Sequence, residues 1–144
     1  MKKLFFIITF VFASIFSYSQ STSEIYSFLK EASVSVNANC PTMVDEITRL
    51  DMVNVYEPKT IEYRYTLLKS KSDYSPQMLE TMKSYMLNSL SSSVKNTESM
   101  SILRDYDVTF MYTYYDKFGN FLFTCTIYPY MYSQQETQYR FDKI

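Results

Sequence analysis

The sequence predicts an α+β domain of two layers, in which helices cover one face of an antiparallel sheet of about four strands. Two segments place apolar residues at helical intervals, and two pairs of segments rich in β-branched and aromatic residues are each joined by a turn. These segments follow the order α-β-β-α-β-β along the chain. Because the strands of each pair are consecutive, we expect two hairpins, with the helices packed on one side of them.

Residues 1–19 have the pattern of a cleaved export signal. Two lysines precede the apolar residues 4–16, and the stretch 17–19 places small side chains where signal peptidase cuts, so we expect cleavage before Gln20. A helix made of this apolar run would be about 20 Å long, shorter than the roughly 30 Å hydrocarbon core of a bilayer. We therefore expect a single exported domain, residues 20–144, in the periplasm or outside the cell, with no membrane span after cleavage.

The next element is predicted to be a helix that begins near Ser21. Ser21 and Glu24 have capping-box spacing. Pro41 disfavours helical backbone in the residue before it, so the helix should end within Asn37–Pro41. The apolar residues on its predicted packing face are Ile25, Phe28, Leu29, Ala32 and Val36.

A first hairpin is predicted from Arg49–Tyr56 and Thr60–Lys69, with the turn at Glu57-Pro58-Lys59. The second strand alternates, which is typical of a strand with one buried face and one solvated face. We expect the buried face to carry Ile61, Tyr63, Tyr65 and Leu67, and the solvated face to carry Glu62, Arg64 and Thr66.

A second helix is predicted to begin at Ser75-Pro76, which combines an N-cap Ser with a Pro in the first turn. Residues 91–97 lack an apolar stripe and are expected to fray, and Glu98–Arg104 is expected to form a short helical turn. The stripe expected to pack on the sheet is Met78, Leu79, Met82, Tyr85, Met86 and Leu90.

A second hairpin is predicted from Asp107–Tyr115 and Asn120–Tyr130. Its loop contains Gly119, the chain's single glycine, at the position where a type I turn needs left-handed backbone. Residues 133–144 are expected to form a loose tail of the domain. The face of the last strand that should lie in the core carries Phe121, Phe123, Cys125 and Ile127.

Composition excludes several classes of function. The chain has no His, which removes Ser-His-Asp and Cys-His catalysis, and one Gly cannot build a Gly-rich phosphate-binding loop. The predicted leader holds two of the 14 basic residues and none of the 15 acidic ones, so the mature chain has a net charge of −3. Its cations are scattered singly along the sequence, and we expect no nucleic-acid or anionic-membrane partner and no cofactor.

The two cysteines allow two interpretations. Cys40, at the end of the first helix, and Cys125, on the last strand, could form a disulfide, because export permits one, and a loop of this length would stabilise the fold by roughly 4 to 5 kcal/mol. Alternatively both thiols are free, and Cys125 is a small buried side chain. Neither has a visible His or positive neighbour that would make it a nucleophile.

The segment 40–51 concentrates charge. Asp45, Glu46 and Asp51 could be oxygen ligands of a cation, but their spacing does not match a calcium-binding loop. We prefer a structural role to a metal site, with Asp45 or Thr48 capping local backbone and Arg49 pairing with a neighbouring carboxylate. No metal site is therefore predicted. The same segment could also be a recognition edge, and the sequence does not separate this role from a structural one.

Tyrosines give the strongest hint of a contact surface, because Tyr combines a flat apolar ring with a polar tip. Consecutive residues Tyr114 and Tyr115 must point to opposite faces of a strand. The alternative is ordinary use of aromatic residues in strands. The candidate contact residues in and after the second hairpin are Tyr112, Tyr114, Tyr115, Tyr128, Tyr130 and Tyr132.

Several motifs resemble a group of small exported bacterial proteins of unknown function. The stretch 39–51 carries the pattern N-C-P-x3-D-E-x-T-R-L-D, and both Tyr63-Arg64-Tyr65-Thr66-Leu67 and residues 116–121 resemble the same group. The resemblance covers most of the mature chain. It implies an exported, single-domain protein and assigns no functional residue.

Three functions follow as hypotheses. The leading one is a non-enzymatic module that binds a protein or another component of the bacterial envelope or exterior through its sheet or a hairpin edge. The second is a carrier of a small apolar ligand in a cavity between sheet and helix. The third is an enzyme that uses carboxylates or Cys40. The sequence does not predict an oligomeric state.

Overall fold

The computed structural model describes residues 22–133, which form a five-stranded sheet with helices packed on one face. The predicted signal, residues 1–19, and the predicted tail beyond Ser133 lie outside the described residues. No helix between residues 22 and 133 has the length and apolar character that crossing a bilayer requires. The elements are α1 (Thr22–Asn37), β1 (Thr42–Met43), β2 (Thr48–Tyr56), β3 (Thr60–Leu67), α2 (Pro76–Asn96), α3 (Ser101–Asp105), β4 (Thr109–Tyr115), β5 (Phe121–Ile127) and α4 (Pro129–Tyr132), with 3₁₀ turns at Lys71–Asp73 and Glu98–Met100.

The α+β class and both hairpins are confirmed, but the predicted sheet of four antiparallel strands is wrong. The sheet has the order β1-β2-β3-β4-β5, and its central pair, β3 and β4, is parallel. The reason is the connection: α2 returns the chain from the end of β3 to the same end of the sheet at which β3 began, so β4 runs in the same direction. The additional strand, β1, has only two residues and pairs with β2 at one edge of the sheet.

Helix α1 packs over β2, with Ile25 and Leu29 fully buried. It ends at Asn37, as predicted, and the Asn37 amide anchors that end. The amide oxygen accepts from the Val53 backbone N–H at 2.7 Å, and the amide nitrogen donates to the Val53 carbonyl at 2.8 Å. Asn37 thus supplies the hydrogen bonds that a longer β1 would have made to this stretch of β2.

Helix α2 begins as predicted, since Ser75 Oγ accepts from the Met78 backbone N–H at 3.1 Å and Pro76 occupies the first turn. The predicted packing stripe is partly wrong, because Met78 is 50% exposed and Tyr85 is 68% exposed. The helix also continues through the segment predicted to fray. Its packing face is rotated and runs to the last turn, through Leu79, Met82, Met86, Leu87, Leu90 and Val94.

Stacked tyrosines fill the core beneath the helices. The parallel register pairs Tyr63 with Tyr112 and Tyr65 with Tyr114, and the ring centroids lie 5.3 and 5.2 Å apart. Each such aromatic pair adds about 0.5–1.5 kcal/mol beyond the area that it buries. Tyr114 also stacks on Phe123 of β5 at 4.8 Å, so aromatic contacts join three neighbouring strands.

Strand β5 differs from the prediction at both ends. A bulge opposite Tyr114 and Tyr115 places Leu122 in the core and leaves Phe121 50% exposed, whereas Phe123, Cys125 and Ile127 are buried as predicted. The strand ends at Ile127 rather than Tyr130, since α4 begins at Pro129, which has no N–H to donate to a ladder.

Asp116 fixes the turn of the second hairpin, where Gly119 has the predicted left-handed backbone at φ +83°. Its Oδ1 accepts from the backbone N–H groups of Phe118 (2.9 Å) and Asn120 (2.8 Å). Its Oδ2 accepts from the Lys71 backbone N–H (2.8 Å) and the Asn120 side chain (3.0 Å). Burial alone would raise the pKa of Asp116. These hydrogen bonds lower it by a larger amount, so the net pKa is about 2.

Replacing Asp116 with Asn should remove a pH-dependent part of the stability. A depressed folded-state pKa gives stabilisation that is complete above the unfolded value of about 4 and is lost as the pH falls towards 2. Urea unfolding from neutral pH to about pH 2.5 should show that Asp116→Asn is less stable than wild type at neutral pH, by a margin that shrinks below about pH 4. A margin that stays constant with pH would contradict this assignment.

Candidate interaction surface on the uncovered face of the sheet

The helices that contact the sheet, α1 and α2, lie on the face that carries Val53, Tyr63, Tyr112 and Cys125. The opposite face, here called the uncovered face, has no helix of residues 22–133 packed on it. Its side chains are mostly charged, threonine or aromatic. The strand registers align them in rows across β2, β3, β4 and β5, such as Met52–Arg64–Thr113–Thr124.

A groove of about 330 Å³ opens on this face at the ends of β3 and β4. Parallel strands finish at the same end of a sheet, so the last residues of β3 and β4 lie close to the turn of the second hairpin. Strand β2, which is antiparallel to β3, begins at that end. The side chains that line the groove include Arg49, Asp51, Arg64, Thr66, Tyr115 and Lys117.

Asp51 follows the core residue Leu50 and therefore points to the uncovered face, and a β-bulge between Leu50 and Met52 places Met52 on that face as well. Asp51 Oδ1 accepts from Arg49 Nε at 2.6 Å, and Oδ2 accepts from Thr66 Oγ1 at 2.6 Å, so both carboxylate oxygens are engaged. The predicted pairing of Arg49 with a neighbouring carboxylate is confirmed.

The predicted capping role of Asp45 is also confirmed, since its Oδ1 accepts from the backbone N–H groups of Ile47 and Thr48 at 2.8 and 2.7 Å. Within the described part of the chain, no three His, Cys, Asp or Glu side chains come close enough to share a metal ion.

Two further cations border the groove. The Arg64 guanidinium lies over the Tyr115 ring, 4.6 Å from its centroid, and its remaining contact is a long one of 4.0 Å to the Met52 sulfur. Lys117 Nζ lies 5.0 Å from the centroid of the Phe118 ring. Among residues 22–133, neither cation has a carboxylate oxygen within 4.0 Å.

Glu62 is the centre of a buried hydrogen-bond network on the uncovered face, although we predicted it to be solvated. Its carboxylate accepts from the Tyr56 hydroxyl and Thr113 Oγ1, both at 2.7 Å, and from the Asn54 amide at 3.2 Å. Burial alone would raise the pKa of Glu62. These hydrogen bonds and the nearby Arg64 charge together lower it by a larger amount, so the net pKa lies below its ordinary value. Glu62 and Thr66 are buried because β3 has a strand on each side, whose side chains close over them.

The six tyrosines proposed as a contact surface do not lie together. Tyr112, Tyr114 and Tyr132 are buried beneath the helices and cannot form a surface. Tyr115 lies half-buried in the groove. The remaining two, Tyr128 (46% exposed) and Tyr130 (72% exposed), stack on each other with ring centroids 5.7 Å apart at the start of α4.

Arg64, Lys117 and Phe121 were not among the predicted contact residues. Arg49 and Asp51 belong to the segment 40–51, for which we predicted a structural role or a recognition edge. The signal that could have found Arg64 was its place on the face of β3 opposite the aromatic one, but its meeting with Lys117 depends on the pairing of β3 with β4.

The predicted alternative of a Cys40–Cys125 disulfide is wrong, since both thiols are free. Cys40 precedes β1 at one edge of the sheet and Cys125 lies on β5 at the other. That separation of three to four strands is about 14 to 19 Å, well beyond the roughly 4 to 7 Å between the Cα atoms of a disulfide. Burial raises the pKa of the Cys125 thiol to about 11, with Lys83 opposing the shift, and burial with the Asp51 charge raises that of Cys40.

The Cys125 thiol should react with a thiol reagent only when the protein unfolds. A buried thiol with a pKa of about 11 is both inaccessible and protonated near neutral pH. In a Cys40→Ser variant, titration with a chromogenic disulfide should therefore give almost no signal in the native state and one thiol in denaturant. The wild type, denatured without reductant, should titrate two thiols. Rapid native reaction of Cys125 would contradict its burial.

Replacing Glu62 with Gln should destabilise the fold by about 1–3 kcal/mol, since the amide group cannot accept from all three of the donors that now surround the carboxylate. Urea unfolding at neutral pH measures this effect. The matched control is Glu57→Gln in the exposed turn before β3, which should change the free energy of unfolding by less than about 0.5 kcal/mol. Equal effects of the two substitutions would mean that the network contributes nothing.

The fold is shared with proteins of very different sequence. The structure of PA3611 of Pseudomonas aeruginosa, a protein inferred to be secreted, has a TM-score of 0.63 and 13% identity, covering 80% of this chain and 99% of that one. The pilotin EpsS of the Vibrio vulnificus type 2 secretion system has a TM-score of 0.60 and 8% identity, covering 79% of this chain and 97% of that one. The pilotin AspS of the Vibrio cholerae type II secretion system has a TM-score of 0.52 and 8% identity, covering 74% and 91%.

At these identities the similarities establish a common fold. No curated protein matches the sequence. A family match spans residues 25–123, from α1 to β5, and so includes the uncovered face of β2, β3 and β4. The chain therefore belongs to the family described as Domain of unknown function (DUF8479).

Proposed function

We propose that this protein is a non-enzymatic binding module, exported to the periplasm or the cell exterior, which binds a protein or another envelope component through the uncovered face of its sheet. The observation that carries the proposal is that face itself. It presents an open groove with cationic and aromatic side chains, and it has no layer of residues 22–133 packed over it.

Exposed apolar side chains beside the groove support a binding role. Met52 (40% exposed) and Phe121 (50%) lie on the uncovered face, and Phe118 (71%) lies in the adjoining turn. A cluster of exposed apolar groups next to charged groups is typical of protein contact surfaces, where aromatic and Arg side chains contribute most of the binding energy.

The structural relatives support a role in the envelope. One is inferred to be secreted, and two are pilotins of type 2 secretion systems. None of their partners is transferred to this chain, since the identities of 8–13% indicate a common fold only. Together with the predicted export signal, they favour export and binding.

The shifted pKa values support a non-enzymatic role. A catalytic general acid needs a raised carboxyl pKa, but among residues 22–133 the carboxyl pKa values that shift, those of Glu62 and Asp116, are both lowered. A nucleophilic Cys needs a lowered pKa, but those of Cys40 and Cys125 are raised.

The alternative of an apolar-ligand carrier receives no support from the groove. That hypothesis requires a cavity between the sheet and the helices, whereas the groove opens on the other face and is lined by Arg, Asp, Thr and Lys side chains.

A pair of exposed aromatic residues tests the proposal. Phe121→Ala removes a ring from the uncovered face, and Tyr85→Ala removes a ring from the solvent side of α2. In affinity capture from the native envelope fraction, Phe121→Ala should reduce recovery of the captured partner by about tenfold or more, because an exposed aromatic residue that anchors a partner contributes about 2 kcal/mol of binding. Tyr85→Ala should leave recovery unchanged.

Thermal unfolding of both variants should show that they are folded before capture is compared. Loss of capture with Tyr85→Ala alone would place the binding surface on the helices. Unchanged capture with Phe121→Ala would remove the uncovered face from the proposal.

A further inference from the structure

We infer that the groove on the uncovered face binds an acidic peptide segment of a partner protein, with a carboxylate held between Arg64 and Lys117 and an apolar side chain against Phe121. This inference rests on the proposed function, and it specifies the chemistry of the partner.

Most carboxylate acceptors near the groove already have hydrogen-bond donors within the protein. The carboxylate acceptors nearest the groove are already engaged: Asp51 by Arg49 and Thr66, and Asp116 by four donors. Glu62 is engaged in the same way, by three donors. The surface therefore offers few acceptors to a partner.

Donors, in contrast, are left over. Arg49 uses its Nε for Asp51, which leaves its two terminal nitrogens without a hydrogen bond to residues 22–133. Among residues 22–133, the Arg64 side chain contacts the Tyr115 ring and, at long range, the Met52 sulfur, and the Lys117 side chain contacts the Phe118 ring, so neither cation donates to an oxygen. A guanidinium group carries five N–H donors, and a lysine ammonium carries three. A surface with spare cationic donors and occupied acceptors selects a ligand that brings acceptors with negative charge, such as a carboxylate.

The cations are held in place before a ligand arrives. Arg49 is fixed by its 2.6 Å contact with Asp51, and Arg64 is fixed over the Tyr115 ring. Because these side chains are already ordered, less rotamer entropy is lost on binding. Such ordering favours a defined contact over diffuse attraction between charges.

The apolar neighbours favour a peptide over a free phosphate or a lipid headgroup. Met52, Phe118 and Phe121 are each at least 40% exposed around the cations, and a phosphate ion would leave them in water. An anionic membrane surface attracts proteins that carry clusters of several adjacent basic residues. The predicted mature chain has 12 basic and 15 acidic residues, and its net charge of −3 disfavours such a surface. A peptide that carries both acidic and apolar side chains matches both features.

The test uses the protein as the host exports it and a fluorescent peptide in which Glu and Leu alternate. We expect binding at low salt that weakens as ionic strength rises, and that is lost when Gln replaces every Glu in the peptide. Arg64→Gln and Lys117→Gln should each weaken binding about tenfold, the cost of one charge-assisted hydrogen bond. The matched control is Lys95→Gln in the last turn of α2, which should leave the affinity unchanged.

Arg64→Lys keeps the charge but removes the planar group stacked on Tyr115, so its affinity should lie between those of wild type and Arg64→Gln. Thermal unfolding shows whether each variant is folded. Inorganic phosphate and vesicles of phosphatidylglycerol are the competing anions. If either binds as tightly as the Glu peptide with the same dependence on Arg64, the peptide assignment is overturned.

Failure of this inference can be distinguished from failure of the proposed function. If the Glu peptide binds no better than the Gln peptide, or if Arg64→Gln and Lys117→Gln have no effect, the acidic-peptide inference is wrong. Capture from the envelope fraction that still depends on Phe121 would in that case leave the proposed binding face intact. Loss of both results would remove both.

Discussion

The parallel pairing of β3 with β4 at the centre of the sheet is the contact on which the other features depend. It aligns Tyr63 with Tyr112 and Tyr65 with Tyr114, so that their stacked rings form the middle of the core. A parallel pair needs a long crossover, and α2 provides it by packing on the same side of the sheet as α1. One face is therefore covered and the other is not. The same pairing brings the C-terminal ends of β3 and β4 together at one end of the sheet, where the groove forms.

Local features of the fold could be predicted because their causes lie within a few residues. Ser75 caps the residues that directly follow it, and Gly119 satisfies a backbone requirement of its own turn. The pairing of β3 with β4 has no such local cause. It joins residues as far apart as Glu62 and Thr113, which are 51 positions apart, and consecutive hairpins can be arranged in a sheet in several ways. Strand β3 is buried almost continuously because it is a central strand, whereas the sequence pattern alone indicates one solvated face.

Two bulges set the positions of individual side chains on the uncovered face, and one of them explains the wrong prediction for Phe121. Strand side chains alternate strictly, so one extra residue moves every side chain beyond it to the opposite face. Between Leu50 and Met52 this change directs Met52 outward, and opposite Tyr114 it moves Leu122 inward and Phe121 outward. Alternation read from the sequence assigns Phe121 to the core because it assumes no bulge. Two of the apolar residues on the candidate surface, Met52 and Phe121, thus owe their positions to irregularities that the periodic pattern does not contain.

Stability and surface chemistry are linked through the carboxylates. Asp116 joins the second hairpin to the 3₁₀ turn at Lys71, Glu62 joins side chains of β2 and β4, and Asp51 joins Arg49 to Thr66. Each carboxylate is engaged because the fold needs its acceptors for neighbouring donors. Of the cations nearby, Arg49 pairs with Asp51, whereas Arg64 and Lys117 have no carboxylate oxygen within 4.0 Å among residues 22–133 and remain available at the surface. A mildly acidic protein can therefore present a donor-rich groove, since the carboxylates near that groove are used internally and the charges of Arg64 and Lys117 are not.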